Sequence, residues 1–259
     1  MNKSVFLSRF LWACCSLLLM LFCLPSKAQI GEHRNDLAIG VNGGYVLSNV
    51  AFLPKVPQSL HGGLTGGLSV RYVCEKYFNT ICSIYGEVNL SQIGWKERIW
   101  DRNDKPVINE TTGVAEQCQR DMTYLQVPVF AHLAWGREQK GMQFFFQAGP
   151  QVGFHLSDKT VKNFELSDRN LLDRVNNTVQ QDTMAVQNKV DYGISAGVGM
   201  EYSHPKMGHL LIEARYYYGL GNMYKDTKRD FFSTSRFSNI VVKLTYFFDI
   251  TRTRRDQAQ

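Results

Sequence analysis

Residues 190–202 read VDYGISAGVGMEY, and their alternation decides the fold. Val190, Tyr192, Ile194, Val198, Met200 and Tyr202 fall on one side, against Asp191, Gly193, Ser195, Gly197, Gly199 and Glu201 on the other. Successive side chains of an extended chain point to opposite faces, so a period of two marks a strand with one apolar face. The same reading applies at Leu37–Leu47, Leu64–Val73, Ile81–Gly94, Thr123–Trp135, Phe144–Leu156, Leu210–Leu220 and Ile240–Phe248. That makes about eight strands, each near the ~9–11 residues that a tilted membrane strand needs, and an even number suits a single-chain barrel.

The connections alternate in length. Long ones are expected at Ser48–Gly63, Trp95–Met122, Ser157–Lys189 and Gly221–Ser238, short ones at Glu75–Thr80, Gly136–Gly141 and Ser203–Gly208. Outer-membrane barrels have short periplasmic turns and longer outside loops. A soluble lipocalin-like barrel also alternates, with its apolar face inward, and three features favour lipid outside instead. The polar face pairs many glycines with Arg71, Glu87, Glu201, Glu213, Arg215 and Lys243, which a narrow bore can hold only if they pair with one another. Tyr72, Trp135, Phe144, Tyr202 and Phe248 fall on the apolar face near the short turns, where an aromatic girdle belongs. The last strand ends in alternating aromatics, Tyr246 and Phe248. Pro128 and Pro150 interrupt this pattern; a closed barrel has no free edge to tolerate a missing N–H, so a bulge or a misplaced boundary is expected at each.

The first residues read as an export signal. Lys3 and Arg9 precede an apolar run from Leu11 to Leu24, and Ser26 and Ala28 supply small residues for cleavage after Ala28. The run is shorter than the roughly 20 residues of a spanning helix, and Phe22 before Cys23 does not fit a lipoprotein site. Lys3, Arg9 and Lys27 leave with this leader, which takes the 29 cations to 26 against 23 acids. So mild a charge, with no basic stripe interleaved with aromatics, argues against nucleic acid. Cys74, Cys82 and Cys118 remain in an oxidising compartment. Cys74 and Cys82 flank a short turn and could pair, leaving Cys118 over. No Cys/His spacing reads as a metal site.

Several motifs resemble a known family. Tyr124-Leu125-Gln126-Val127-Pro128-Val129 is similar to the "Y-L-x-[IV]-P-[LV]" strand of the PorT-like barrels of Bacteroidota. Ala148-Gly149-Pro150-Gln151-Val152-Gly153 resembles their "A-G-P-x-x-G" strand. Asp191-Tyr192-Gly193 with Gly197–Glu201, then Arg215-Tyr216 through Gly219-Leu220 with Asn222, resemble two later strands, and Asn239 and Tyr246 fit the last. The resemblance implies an outer-membrane barrel of about eight strands in which both prolines belong to the pattern. It implies little about activity: the namesake serves the type IX secretion system, but nothing here singles out that component.

Candidate chemistry is sparse. The six bore charges read as a structural plug, with a proton or ion path as the functional alternative. His155 and Asp191 fall at the loop end of neighbouring strands near Ser157 and Ser195, a possible rim pair that could support hydrolysis or acyl transfer, although no motif places a nucleophile. Asp182-Thr183-Met184 matches a short O-glycosylation pattern, which makes Thr183 a candidate acceptor; Asn109-Glu110-Thr111 is discounted in a bacterium. Phe52, Trp100, Phe164, Phe231 and Phe232 offer loop aromatics for a partner or for self-packing. The expectation is therefore a signal peptide over 1–28, an all-β transmembrane antiparallel up-and-down barrel over 29–250 and a basic periplasmic tail over 251–259 that carries Arg252, Arg254 and Arg255. Its partners are outer-membrane lipid and envelope or secretion-system proteins. No cofactor, metal or catalytic residue is assigned, and the role is structural or interaction-based, accessory to secretion. A narrow channel for small solutes and a surface hydrolase or acyltransferase stand as alternatives.

Overall fold

A computed structural model of the chain describes residues 31–252 except 139 and 206. The expected leader and the arginines at 254 and 255 lie outside the described residues. Among the described residues there are nine strands: β1 (Glu32–Leu53), the two-residue β2 (Gln58–Ser59), β3 (His61–Tyr77), β4 (Thr80–Glu97), β5 (Cys118–Gly136), β6 (Gly141–Lys162), β7 (Val190–His204), β8 (Gly208–Gly219) and β9 (Thr234–Thr251). Each long strand pairs with its sequence neighbours, β1 pairs with β9, and β4 pairs with β5. These contacts close eight long strands into an up-and-down antiparallel barrel with β2 added at its outer rim.

The apolar positions face outward. Ile39, Val41 and Tyr45 on β1, Leu64, Leu68 and Val70 on β3, and Ile240, Val242 and Leu244 on β9 are all exposed. The intervening positions, such as Asn42, Ser69 and Lys243, are buried. An inside-out pattern of this kind suits lipid outside and a filled bore inside. Trp135, Phe144, Tyr202 and Phe248 stand exposed near the short turns, and Trp135 donates its indole N–H to Thr80 Oγ1 at 2.8 Å across the strand pair.

The strands are longer than expected. β1 and β6 each run 22 residues, about twice what a tilted membrane crossing needs. Part of the excess lies at the periplasmic ends, as where β1 starts at Glu32 and β3 runs on to Tyr77, and the larger part at the extracellular ends. There the outward positions turn polar, as at Lys96 on β4, Gln119 and Asp121 on β5, Lys159 on β6 and Arg236 on β9. An apolar/polar alternation cannot be read once both faces meet water or polar loops, so these extensions read as loop in the sequence. The first outer connection is thereby cut to residues 54–60.

Neither proline makes a bulge. Pro128 pairs with Gln151 and Pro150 with Ile194, and the β5–β6 register is the same on either side, from Pro128↔Gln151 to Ala131↔Ala148. Only the pairs between are missing from the ladder. The two prolines nevertheless open separate gaps: Pro128, with Val127, drops out of the β4–β5 ladder, and Pro150, with Gly149, drops out of the β5–β6 ladder. The β5–β6 gap is closed by approach: a Cβ on Gly149 would lie 1.9 Å from the Val129 carbonyl oxygen. The β5–β6 register shift sits instead between Thr123 and Tyr124.

The expected Cys74–Cys82 pairing is also not made, and all three described cysteines are free thiols. A register shift between Val73 and Glu75 leaves Cys74 without an opposite residue, and Cys82 faces Glu75.

Leu244 lies midway along the outward face of β9. Leu244→Arg is expected to cost about 2–4 kcal/mol, and Ser238→Arg, at the outer end of that face, about 0–1 kcal/mol. Urea unfolding in lipid vesicles measures both; equal costs would mean that Leu244 does not face hydrocarbon.

Candidate functional site

Alternation delivers three cations and three acids into the bore, and the closed sheet brings them together. Arg215 on β8 holds Glu87 on β4 through two contacts of 2.9 and 3.3 Å, and its Nη2 donates to Glu213 at 2.5 Å. Lys243 on β9 bonds Glu87 and lies 3.2 Å from Glu213. The spare acceptor sites of these carboxylates are filled by neutral donors: Tyr85 OH at 2.6 Å and Asn89 at 2.8 Å on Glu87, and Gln147 at 2.6 Å on Glu213. Nearer the periplasm, Arg71 donates to Glu201 at 2.5 Å. His209 bridges Glu201 (2.7 Å) to Asp249 (3.1 Å), and Arg252 Nε donates to Asp249 at 3.0 Å. All six charged groups are nearly inaccessible.

Apolar groups complete the filling. Tyr85, Phe130, Phe145, Leu211 and Phe247 form one buried cluster, with the Arg215 guanidinium 4.4 Å above the Phe130 ring and that of Arg71 4.9 Å above Phe247. Side chains fill the bore at this level, as a barrel of about eight strands allows.

Above the lipid band the strand extensions and loops fold into a head with its own core. Phe52 meets Trp95 edge-on at 5.9 Å, Phe232 at 5.0 Å and Tyr224 at 6.1 Å. Of the loop aromatics, Phe52, Phe164 and Phe232 are buried here, whereas Trp100 and Phe231 remain exposed. Polar clamps join the two longest loops. Arg174 grips Glu116 Oε2 through Nε and Nη2 at 3.1 and 2.7 Å, and Glu116 Oε1 accepts from Asn109 at 3.1 Å and from the Asn170 N–H at 2.9 Å. Asn109 Oδ1 in turn accepts the N–H groups of Thr111 and Thr112 at 3.0 and 2.9 Å.

Beside this clamp lies a second polar cluster. Glu97, Cys118 and Asp182 are buried, with one ligand-type atom from each within 4.8 Å of the others. Burial, then the neighbouring Asp182, pushes the Glu97 carboxyl up to about 7. Burial likewise raises Asp182 and, with Asp182 beside it, the Cys118 thiol. Sequence reading missed this cluster and the clamp because it treated 95–122 and 157–189 as irregular. The available signal was the alternation itself, which continues through Trp95, Glu97, Cys118, Arg120 and Met122, all buried.

His155 and Asp191 do not form a rim pair. Asp191 turns into the bore and accepts from Tyr217 OH at 2.6 Å, while His155 packs edge-on against Tyr124 and lies 3.4 Å from Asp158. Each has a nearer partner than the other. Ser195 is fully buried and donates to the Tyr216 carbonyl at 3.4 Å, so no nucleophile–base contact arises at these residues. Thr183 is exposed on a short 3-10 turn, but the Asp182 that precedes it is buried.

With this geometry in place, comparison with known proteins decides the family. The model of the outer membrane protein beta-barrel domain family matches residues 27–225. The chain belongs to that family. It is an outer-membrane β-barrel protein, located in the outer membrane with its strands against lipid. Among solved structures it is similar to the attachment invasion locus protein Ail of Yersinia pestis, at 13% identity over 84% of this chain and 99% of that one, with a TM-score of 0.36. It is also similar to OprG from Pseudomonas aeruginosa, at 10% identity over 84% and 98%, with a TM-score of 0.41. The Neisserial surface protein A is similar at 10% identity over 82% and 97%, with a TM-score of 0.39. No curated protein sequence matches.

Glu87→Gln leaves Arg215 and Lys243 to share Glu213 in a dry bore, and is expected to cost about 3–5 kcal/mol. Adding Lys243→Met restores the charge balance and should recover part of that loss, giving a non-additive cycle. Unfolding in detergent or vesicles measures it; additive costs would show that these groups do not act as one network.

Proposed function

We propose that the protein is a non-enzymatic, non-conducting barrel that holds a rigid head at the cell surface for contact with other envelope proteins, as an accessory to secretion of the type IX kind. The observation that carries this reading is the pairing of a filled bore with an ordered head. A bore packed with neutralised charges and aromatic rings leaves no continuous water path. A head with its own aromatic core and buried clamps presents a fixed surface, and rigid surfaces lose less entropy on binding than mobile loops.

That surface has apolar features that water alone does not explain. Leu172 is 92% exposed, and Ile108, Val114 and Val175 are exposed with it. They lie on two loops that bond to one another, through Asn170 to the Ile108 carbonyl at 3.4 Å and through the Val175 N–H to the Trp100 carbonyl at 3.1 Å. Exposed apolar side chains on an ordered surface above the lipid mark protein contact. The secretion assignment draws on the PorT-like motifs around Pro128 and Pro150. Export through a leader cleaved after Ala28, and a basic tail on the periplasmic side, complete the proposal.

The test is mild-detergent extraction of the native protein from its own outer membrane. A set of envelope proteins is expected to co-purify in fixed proportion and to be lost in the Leu172→Asp, Val175→Asp double variant, with the barrel still folded. A lone barrel with steady conductance in planar bilayers, altered by Arg215→Ala, would replace this reading with the channel.

A further inference from the structure

The bore and the head balance their charges differently. Around the Arg174 clamp three carboxylates are buried together, those of Glu97, Glu116 and Asp182. Two guanidinium groups answer them: Arg174, 2.7 Å from Glu116 and 3.7 Å from Glu97, and Arg169, 3.3 Å from Asp182. Lys162 adds a third cation near Asp182, but Glu97 meets no cation nearer than the 3.7 Å of Arg174, and so buried a carboxylate is costly unless a cation or a proton offsets it.

The unmet group is aimed at one point. Glu97 is 6% exposed, and its Oε2 has no hydrogen-bond partner. Cys118 is fully buried, with its Sγ 3.6 Å from Asp182 Oδ1. Gln181, also fully buried and next to Glu97, donates its amide N–H to the Thr178 carbonyl at 2.8 Å and leaves its Oε1 without a donor. A thiol and two carboxylates therefore converge, and Glu97 keeps an unused acceptor atom. All three are fixed on strand ends and on one 3-10 turn rather than on loose chain.

We propose that Glu97, Cys118 and Asp182 form a binding site in the extracellular head for a divalent cation of the zinc class. A sulfur donor selects a borderline-soft ion over calcium or magnesium, which take oxygen alone. Three protein donors leave the fourth position of a tetrahedral zinc site to water. On binding, the Cys118 thiol gives up its proton to solvent and the sulfur takes the metal as thiolate. The ion then ties the end of β4 to the start of β5 and to the third long loop, the same elements that the Arg174 clamp joins.

The full-length barrel, folded in detergent and stripped with chelator, is titrated with Zn2+ alone and separately with Co2+. One ion per barrel is expected, with a near-ultraviolet sulfur-to-cobalt charge-transfer band and protection of the outer loops from protease by Zn2+. Cys118→Ser should abolish the band and weaken Zn2+ binding by about 100-fold or more, beyond the range of outer-shell changes. Glu97→Gln should weaken binding while keeping the band. Heat-modifiable gel mobility shows that each variant remains a folded barrel. No stoichiometric binding, or binding that Cys118→Ser leaves unchanged, would overturn the site.

Discussion

Hydrocarbon offers the backbone no hydrogen-bond partner, and everything else in this protein follows from that constraint. A sheet in lipid must satisfy its own N–H and C=O groups, so the ladder has to close, here through β4 on β5 and β1 on β9. Closure at eight long strands fixes a bore that side chains can fill. Whatever faces that bore is cut off from water, and its charges have to cancel. The three cations and three acids that do so come from five different strands, up to 156 residues apart in sequence. Closing the barrel and neutralising the bore are thus one event: the pairs cannot form before the sheet does, and the sheet cannot keep them unpaired. Glycines make the room. A Cβ on Gly199 would lie 2.4 Å from the Phe145 ring, so the aromatic layer depends on that position staying bare.

The lipid-facing part of the fold was legible because one physical rule governs it. Between the girdle and the outer interface every outward residue meets hydrocarbon and every inward one meets the bore, so the sequence must alternate. The six bore charges could be placed on one face for the same reason, although their partners could not be named, since pairing depends on strand order and stagger. Above the interface the rule lapses. Outward residues there meet water, inward ones meet an aromatic core, and Asp121 or Lys96 no longer contrasts with its neighbours as Val129 or Leu90 does. The head therefore read as loop, and its Glu116–Arg174 clamp, 58 residues apart, had no local signature.

Two local readings failed for related reasons. Cys74 and Cys82 are close across a turn, but proximity in sequence does not set register, and one unpaired residue between Val73 and Glu75 removes the opposition. His155 and Asp191 are near neighbours on paired strands, yet Asp191 lies deep enough to meet Tyr217, and His155 packs against Tyr124. At Cys74 a shift of one residue decides which side chains meet, and at Asp191 the regular register sets it opposite Gly153, two residues from His155. The prolines show the opposite. Each looked like a defect by itself; each costs its own short gap, one on β4–β5 and one on β5–β6, and the register is unchanged across both.

The two buried charge systems also differ in a way that bears on what each is for. Among the six paired bore charges the sum is zero, and the carboxylates of Glu87 and Glu213 are crowded with donors. A plug needs that completeness, because any residual charge would weaken the barrel it fills. In the head, Glu97 keeps an oxygen without a partner and meets no cation nearer than the 3.7 Å of Arg174. Nothing in the closure of the barrel requires that unmet group. A head built only to pack would remove it with a single amide at position 97, leaving the Arg174–Glu116 contact intact. A carboxylate facing a buried thiol and a second carboxylate instead is an arrangement whose cost is recovered only when something positive sits between them.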